Sequence, residues 1–183
     1  MKDEPAVITA VVLLETDALA AIFDEYAPAL FKYLLRLGIG SQEADQIVGD
    51  VFARLLEKIK EGKGPRTNLR SYLFQIAYHL VVDNARERQR TAPLDVADSV
   101  IEEMAPVQSQ AEENILLEKL FITMKNELTE EQRNVLTLRF QEGFSLKETA
   151  DIVEKNVNSV KALQNRAIAK LRQAMGSMDR GGE

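Results

Sequence analysis

The chain contains no cysteine and a single histidine, His79. The first absence excludes a disulfide framework and a thiolate metal site. The second leaves little material for a His-based metal centre or a catalytic triad. Long apolar runs are also missing. Ala6–Leu14 is apolar but too short to span a bilayer, and Lys-Asp-Glu-Pro precedes it rather than a basic segment. It reads as a first core helix or a packed arm, neither a signal peptide nor a membrane insertion. β-branched runs are short and helix formers dominate, so the fold class is all-α. No Gly-rich phosphate loop follows a strand, and Gly62-Lys-Gly64 is too short to serve as one. The carboxylates are many but patterned as solvated. Nothing forms a catalytic set, a cofactor site or a small-molecule substrate site.

The 183 residues carry a net charge of −6. That balance is wrong for a protein that coats nucleic acid without selectivity, because its own field opposes the phosphates. The cations are unevenly placed. Arg86, Arg88 and Arg90 form one cluster; Lys155, Lys161, Arg166, Lys170 and Arg172 form another. The acids concentrate in Asp3–Asp50 and Asp95–Glu131. An acidic chain with two basic patches suits a DNA-binding protein that needs a helper.

Periodicity divides the chain into two small helical domains, 1–92 and 112–178, with an arm at 1–17, a linker at 93–111 and a tail at 179–183. Leu19, Ile22, Phe23, Tyr26, Leu30 and Leu34 recur at helical spacing. Pro28 is expected to restart or kink that helix, and Gly38 and Gly40 to end it. Ser41 is the expected cap of a second helix. Its stripe of Ala44, Ile47, Val48, Val51, Phe52, Leu55, Leu56 and Ile59 must be buried, and its other face carries Asp45, Gln46, Gly49, Asp50, Arg54 and Glu57. Glu61–Thr67 reads as a loop. Asn68 can cap a third helix from Leu69 to about Arg90. Leu69, Tyr72, Leu73, Ile76, Ala77, Leu80 and Val81 form its core stripe. Thr91–Gln110, with Pro93 and Pro106, lacks periodicity and reads as the linker. In the second domain, Thr129–Gln132 and Ser145–Glu148 are capping boxes. Gly143 separates their helices, and Asn156 can cap the last one, which runs to about Met175.

That last helix carries the strongest functional signal. Val160, Leu163, Ala167 and Leu171 share its inner face, which leaves Asn158, Ser159, Lys161, Ala162, Asn165 and Arg166 outside. Asn and Arg can pair with adenine and guanine edges, and small residues allow close approach. Two short helices joined by a tight turn form a helix-turn-helix, whose second helix enters the major groove. Lys155, Lys147 and Arg139 lie where they could hold phosphates. In the third helix, Phe74 and Tyr78 fall off the core stripe, about two to three turns before the arginine cluster. Aromatic rings beside a basic track suit unpaired bases; packing against the first helix is an equally natural use of the same rings. His79 sits among these groups and could donate or accept a hydrogen bond.

Taken together, these residues resemble the extracytoplasmic-function (ECF) sigma factors of bacterial RNA polymerase. FDEYAPALFKYL, DQIVGDVFARLLEKI and LRSYLFQIAYHLVVDNARER are similar to sigma region two. LTEEQRNVLTLRFQEGFSLKETADIV and NSVKALQNRAIAKLRQ are similar to region four and its recognition helix. The resemblance implies a cytoplasmic bacterial factor, not an enzyme, that recruits core polymerase to promoters. Asp45, Gln46, Gly49, Asp50 and Arg54 would dock on the polymerase clamp helices. The Glu61–Asn68 loop, with Lys63, Arg66 and Asn68, and the neighbourhood of Phe74, Tyr78, His79, Arg86, Arg88 and Arg90 would hold minus-10 bases. The outer face of the last helix would read the minus-35 duplex, and the helices before it would hold the flap tip. An anti-sigma protein covering the polymerase-binding faces is a further expectation. The chain departs from many relatives at Gln46 (commonly acidic), Gly49 (Gln), His79 (Asn) and Glu154 (a turn glycine). The alternatives are a helix-turn-helix regulator that does not join polymerase and an all-helical interaction module.

Overall fold

The computed structural model describes residues 16–65, 67–91 and 111–178. The expectations for residues 1–15, Arg66, 92–110 and the tail fall outside them; Thr16 and Asp17, assigned to the arm, and Ala111, assigned to the linker, are already helical. The described residues hold seven helices and no strand. In chain order these are α1 (Thr16–Arg36), α2 (Ser41–Lys60), α3 (Leu69–Thr91), α4 (Ala111–Glu127), α5 (Glu130–Leu136), α6 (Leu146–Ile152) and α7 (Val157–Met178). They fall into two compact units, one built on α1–α3 and the other on α4–α7.

In the first unit α2 packs along α3. Ala44, Ile47, Val48, Val51, Leu55 and Ile59 form the buried stripe of α2; Phe52 and Leu56, expected with them, and Tyr72 of the expected α3 stripe are only half-buried, at the edges of the core. Aromatic pairs bring α1 onto both partners: Phe23 lies 4.8 Å from Phe52 on α2, and Tyr33 lies 5.2 Å from Phe74 on α3. Helix α1 runs through Pro28 without a break. Pro28 is exposed, so water can take the Asp24 carbonyl that proline's missing N–H leaves over. The expectation that Pro28 restarts the helix is therefore corrected. So is the capping role of Ser41. Gly40 is the N-cap, with extended backbone and no side-chain cap bond, and Ser41 is already the first helical residue.

In the second unit α7 is the hub, packed by α4, α5 and α6. Met124, Leu128, Leu136 and Ala167 form a core, flanked by Leu120, Ile168 and Leu171. Both capping boxes form. The Thr129 hydroxyl accepts from Gln132 N–H, and the Gln132 side chain accepts from Thr129 N–H. Ser145 and Glu148 make the same exchange at α6. Asn156 caps α7, its side chain accepting from Ser159 N–H at 2.8 Å.

Helix α5 does not simply stop. It widens into a π-helical turn at Thr137–Gln141, closed by Glu142 N–H donating to the Thr137 carbonyl at 3.0 Å. Nothing in the local sequence announces this turn. Such turns are rare and concentrate at functional sites.

Helices α2 and α6 end alike. After α2, Lys63 N–H reaches the Lys58 carbonyl and Gly62 N–H the Ile59 carbonyl, with Gly62 at φ +70°. After α6, Lys155 N–H reaches the Ala150 carbonyl and Glu154 N–H the Asp151 carbonyl. Here Glu154 holds the left-handed position, at φ +52°. This is a Schellman stop with glutamate where glycine is favoured. A left-handed L-residue costs roughly 1–2 kcal/mol. Glu154→Gly is therefore expected to raise the stability of the second unit by about 1 kcal/mol, less glycine's own entropic cost. Urea denaturation followed by circular dichroism reads the change.

Candidate nucleic-acid interface

Helices α6 and α7 meet at the Val153–Asn156 turn, and α7 presents one face outward. Val160 and Ala167 are fully buried and Leu163 nearly so, which decides the side of the helix that faces out. Asn158, Lys161, Ala162, Asn165 and Arg166 are exposed as a consequence, and Ser159 is half-buried beside them. Together they offer amide and guanidinium forks, one ammonium and a small residue on a single helical surface. That set can read base edges in a groove as wide as the major groove.

The surrounding cations differ in how free they are. Lys147 is exposed near the start of α6. Lys155 is half-buried and paired with Glu131 at 3.0 Å. Arg139 is not a free surface cation at all. Its Nε donates to Gln164 Oε1 on α7 at 3.2 Å, and its Nη1 donates to the carbonyl of Phe144, just before α6. Two of its donors are thus turned inward, away from the phosphate contact expected of it. Gln164, the acceptor, was not anticipated. It lies between buried Leu163 and exposed Asn165, a boundary position that helical periodicity alone leaves unassigned.

On the first unit, the outer face of α2 is as the pattern requires: Asp45, Gln46, Gly49, Asp50 and Arg54 are all exposed. A Cβ built on Gly49 meets nothing within 4 Å, so packing within the chain does not demand glycine there.

The aromatic pair of α3 is corrected. Phe74 has no exposed surface and Tyr78 only 7%. Phe74 lies against Tyr33, with the Arg70 guanidinium 5.2 Å from its ring centre. Neither ring is free to take a base. A helix packed on two sides buries two stripes, so an aromatic off the first stripe remains in the core. His79 is half-buried, its ring 5.9 Å from that of Tyr78.

The basic track of α3 is partly committed to ion pairs. Arg88 grips Glu43 at the start of α2 through both terminal nitrogens, at 3.1 and 3.2 Å. Arg86 approaches Asp83 at 3.9 Å, and Arg90 is exposed. Just after α2, Glu61 contacts Lys58 in the helix's last turn and Lys63 in the loop. Their hydrogen bonds and charges hold its pKa below the ordinary value. Asn68 takes φ +50° and turns its side chain inward to accept from Ser71 N–H at 3.0 Å, so it also starts α3.

Comparison with known proteins agrees with this layout. The Sigma-70 region 2 family matches residues 22–91 and the Sigma-70 region 4 family matches residues 126–173. The chain is 30% identical over 159 residues to the ECF RNA polymerase sigma factor EcfG of Rhodopseudomonas palustris, covering 86% of this chain and 82% of that protein. It is 28% identical over 160 residues to the ECF sigma factor BldN of Streptomyces coelicolor, of which it spans 60%. Among solved structures, the fold resembles CnrH, in a complex with the cytosolic domain of CnrY, with a TM-score of 0.70 at 19% identity over 95% of this chain and 97% of that one. It also resembles the sigma factor RpoE of Bartonella quintana, in a complex with the anti-sigma factor NepR, with a TM-score of 0.66 at 22% identity over 86% and 96% of the two chains. The chain belongs to the ECF sigma factors of RNA polymerase.

Proposed function

We propose that the two units, bounded at 1–92 and 112–178, divide promoter recognition between them. The outer face of α7 takes the minus-35 duplex, with Asn158, Ser159, Ala162, Asn165 and Arg166 against base edges and Lys161 at the groove edge. Lys147 and Lys155 supply phosphate contacts beside it. The outer face of α2, with Asp45, Gln46, Gly49, Asp50 and Arg54, docks on the polymerase clamp helices, and the helices before α7 hold the flap tip. Lys63, Arg66, Asn68, His79, Arg86, Arg88 and Arg90 serve the unpaired minus-10 strand. Phe74 and Tyr78 support that surface from beneath. The chain works in the bacterial cytoplasm, where polymerase works, and leaves phosphodiester chemistry to the polymerase.

The observation that carries this reading is the outward set on α7 opposite the buried Val160, Leu163 and Ala167. The net charge of −6 fits it. An acidic chain has weak affinity for DNA alone, so the polymerase supplies affinity and this chain supplies choice. The similar structures held by CnrY and NepR support a protein inhibitor here too, one that covers the polymerase-binding faces until a signal releases them.

Selection from a randomised duplex library tests the division of labour. With core polymerase present, the retained sequences should carry two fixed blocks at near-constant spacing. A single block, retained equally well without polymerase, would instead make the chain a free-standing regulator.

Gly49 gives a sharper check on the α2 face. Gly49→Ala should stabilise α2 by about 1 kcal/mol, since alanine is the better helix former and its methyl has open space. Binding to core polymerase, measured by competition with a labelled sigma factor, should weaken at the same time. A more stable chain with unchanged polymerase affinity would remove Gly49 from the docking face.

A further inference from the structure

Arg139 stands on the π-helical turn and touches both helices of the helix-turn-helix. One donor, Nε–H, reaches Gln164 Oε1 on α7 at 3.2 Å. Another, on Nη1, reaches the Phe144 carbonyl. Phe144 is 2% exposed and immediately precedes Ser145, the N-cap of α6. One planar group therefore ties the scaffold turn to the start of α6 and to the middle of α7. Gln164 is the residue next to Asn165 and two before Arg166, so the tie acts within one turn of the exposed forks. A guanidinium is a rigid fork whose donors hold fixed angles. It can thus set how far α7 is rotated about its own axis, which the apolar contacts of Val160, Leu163 and Ala167 constrain more loosely.

We propose that Arg139 is a positioning residue for minus-35 selectivity, acting through Gln164 on the rotation of α7 rather than by binding a phosphate. This rests on the reading that α7 enters the minus-35 duplex. The two roles differ in what they predict. A phosphate contact contributes equally to every sequence and adds about 0.9 to the slope of log affinity against log salt. A positioning contact contributes to sequence choice and leaves that slope alone.

The test uses holoenzyme reconstituted from core polymerase and the full chain. Affinity is measured for a selected promoter and for the same DNA with a scrambled minus-35 block, across a salt series, with the melting temperature of each variant recorded. In Arg139→Lys, which keeps the charge but loses the fork, discrimination should fall about tenfold, the scale of one paired base contact, with an unchanged salt slope. Gln164→Met, which keeps length but removes the acceptor, should show the same loss. The double variant should lose no more than either single one, since both remove the same tie. A retained discrimination in Arg139→Lys, or a reduced slope in Arg139→Met, would overturn the proposal. So would a loss confined to melting temperature, which would make Arg139 a purely structural residue. If the unaltered holoenzyme fails to discriminate, the reading of α7 falls first and the proposal with it.

Discussion

Phe74→Ala is expected to destabilise the first unit by about 3–5 kcal/mol, the usual cost of truncating a buried aromatic. The reasons are geometric. The ring has no exposed surface, lies 5.2 Å from the Tyr33 ring and has the Arg70 guanidinium close by. Removing it leaves a void between α1 and α3 and deprives Tyr33 of its partner. A small helical unit holds total stability near the lower end of the 5–15 kcal/mol range, so a loss of this size unfolds much of it at growth temperature. Urea denaturation should show a transition at much lower denaturant, and binding to core polymerase should fail with it. An exposed stacking ring would behave otherwise, because surface substitutions usually stay within about 0.5 kcal/mol. A stable Phe74→Ala protein that binds polymerase but no longer opens promoters would restore the base-stacking role and contradict the packing described above.

Arg166→Ala is expected to lower affinity for the minus-35 duplex by roughly 10- to 100-fold, corresponding to the loss of a paired contact to a base. Arg166 is exposed on α7, and the buried residues Leu163 and Ala167 that flank it hold the helix without it. The fold should therefore survive, and the loss should be confined to one or two promoter positions. Lys161→Ala is the informative comparison. An ammonium at the groove edge suits phosphate, so that variant should weaken all sequences alike and flatten the salt dependence. Measuring both variants against single-base promoter changes separates reading from anchoring. Position-specific relaxation with Lys161→Ala and uniform weakening with Arg166→Ala would reverse the two roles.

The helices were legible in the sequence wherever a signal is local. The two capping boxes, the Asn156 cap and the stop at Gly143 each depend on residues within four positions, and each forms as its chemistry dictates. The inner and outer faces of α2 and α7 were legible for the same reason, since a 3.6-residue period separates two sides, but it leaves boundary positions such as Phe52, Leu56 and Gln164 undecided. Reading failed where a third element decides. Phe74 and Tyr78 lie off the main stripe of α3, and the packing of α1 through Tyr33 is what places Phe74 in the core. Arg139 looks like a surface cation until the π turn, the Phe144 carbonyl and Gln164 are brought together. Pro28 and Ser41 mark the opposite limit. Their propensities are real, but an exposed proline can be carried by solvent, and Gly40 supplies extended backbone one residue earlier. Glu154 combines both lessons, because a local backbone motif is kept there with an unfavourable residue in its left-handed position.

The most direct measurement is transcription from fragmented host DNA by purified core polymerase, with and without this chain, mapping RNA 5′ ends. New start sites that share two upstream blocks at near-constant spacing are expected, and their loss with Arg166→Ala. An absence of new starts, from a folded chain that binds core polymerase and is free of any inhibitor, would contradict it.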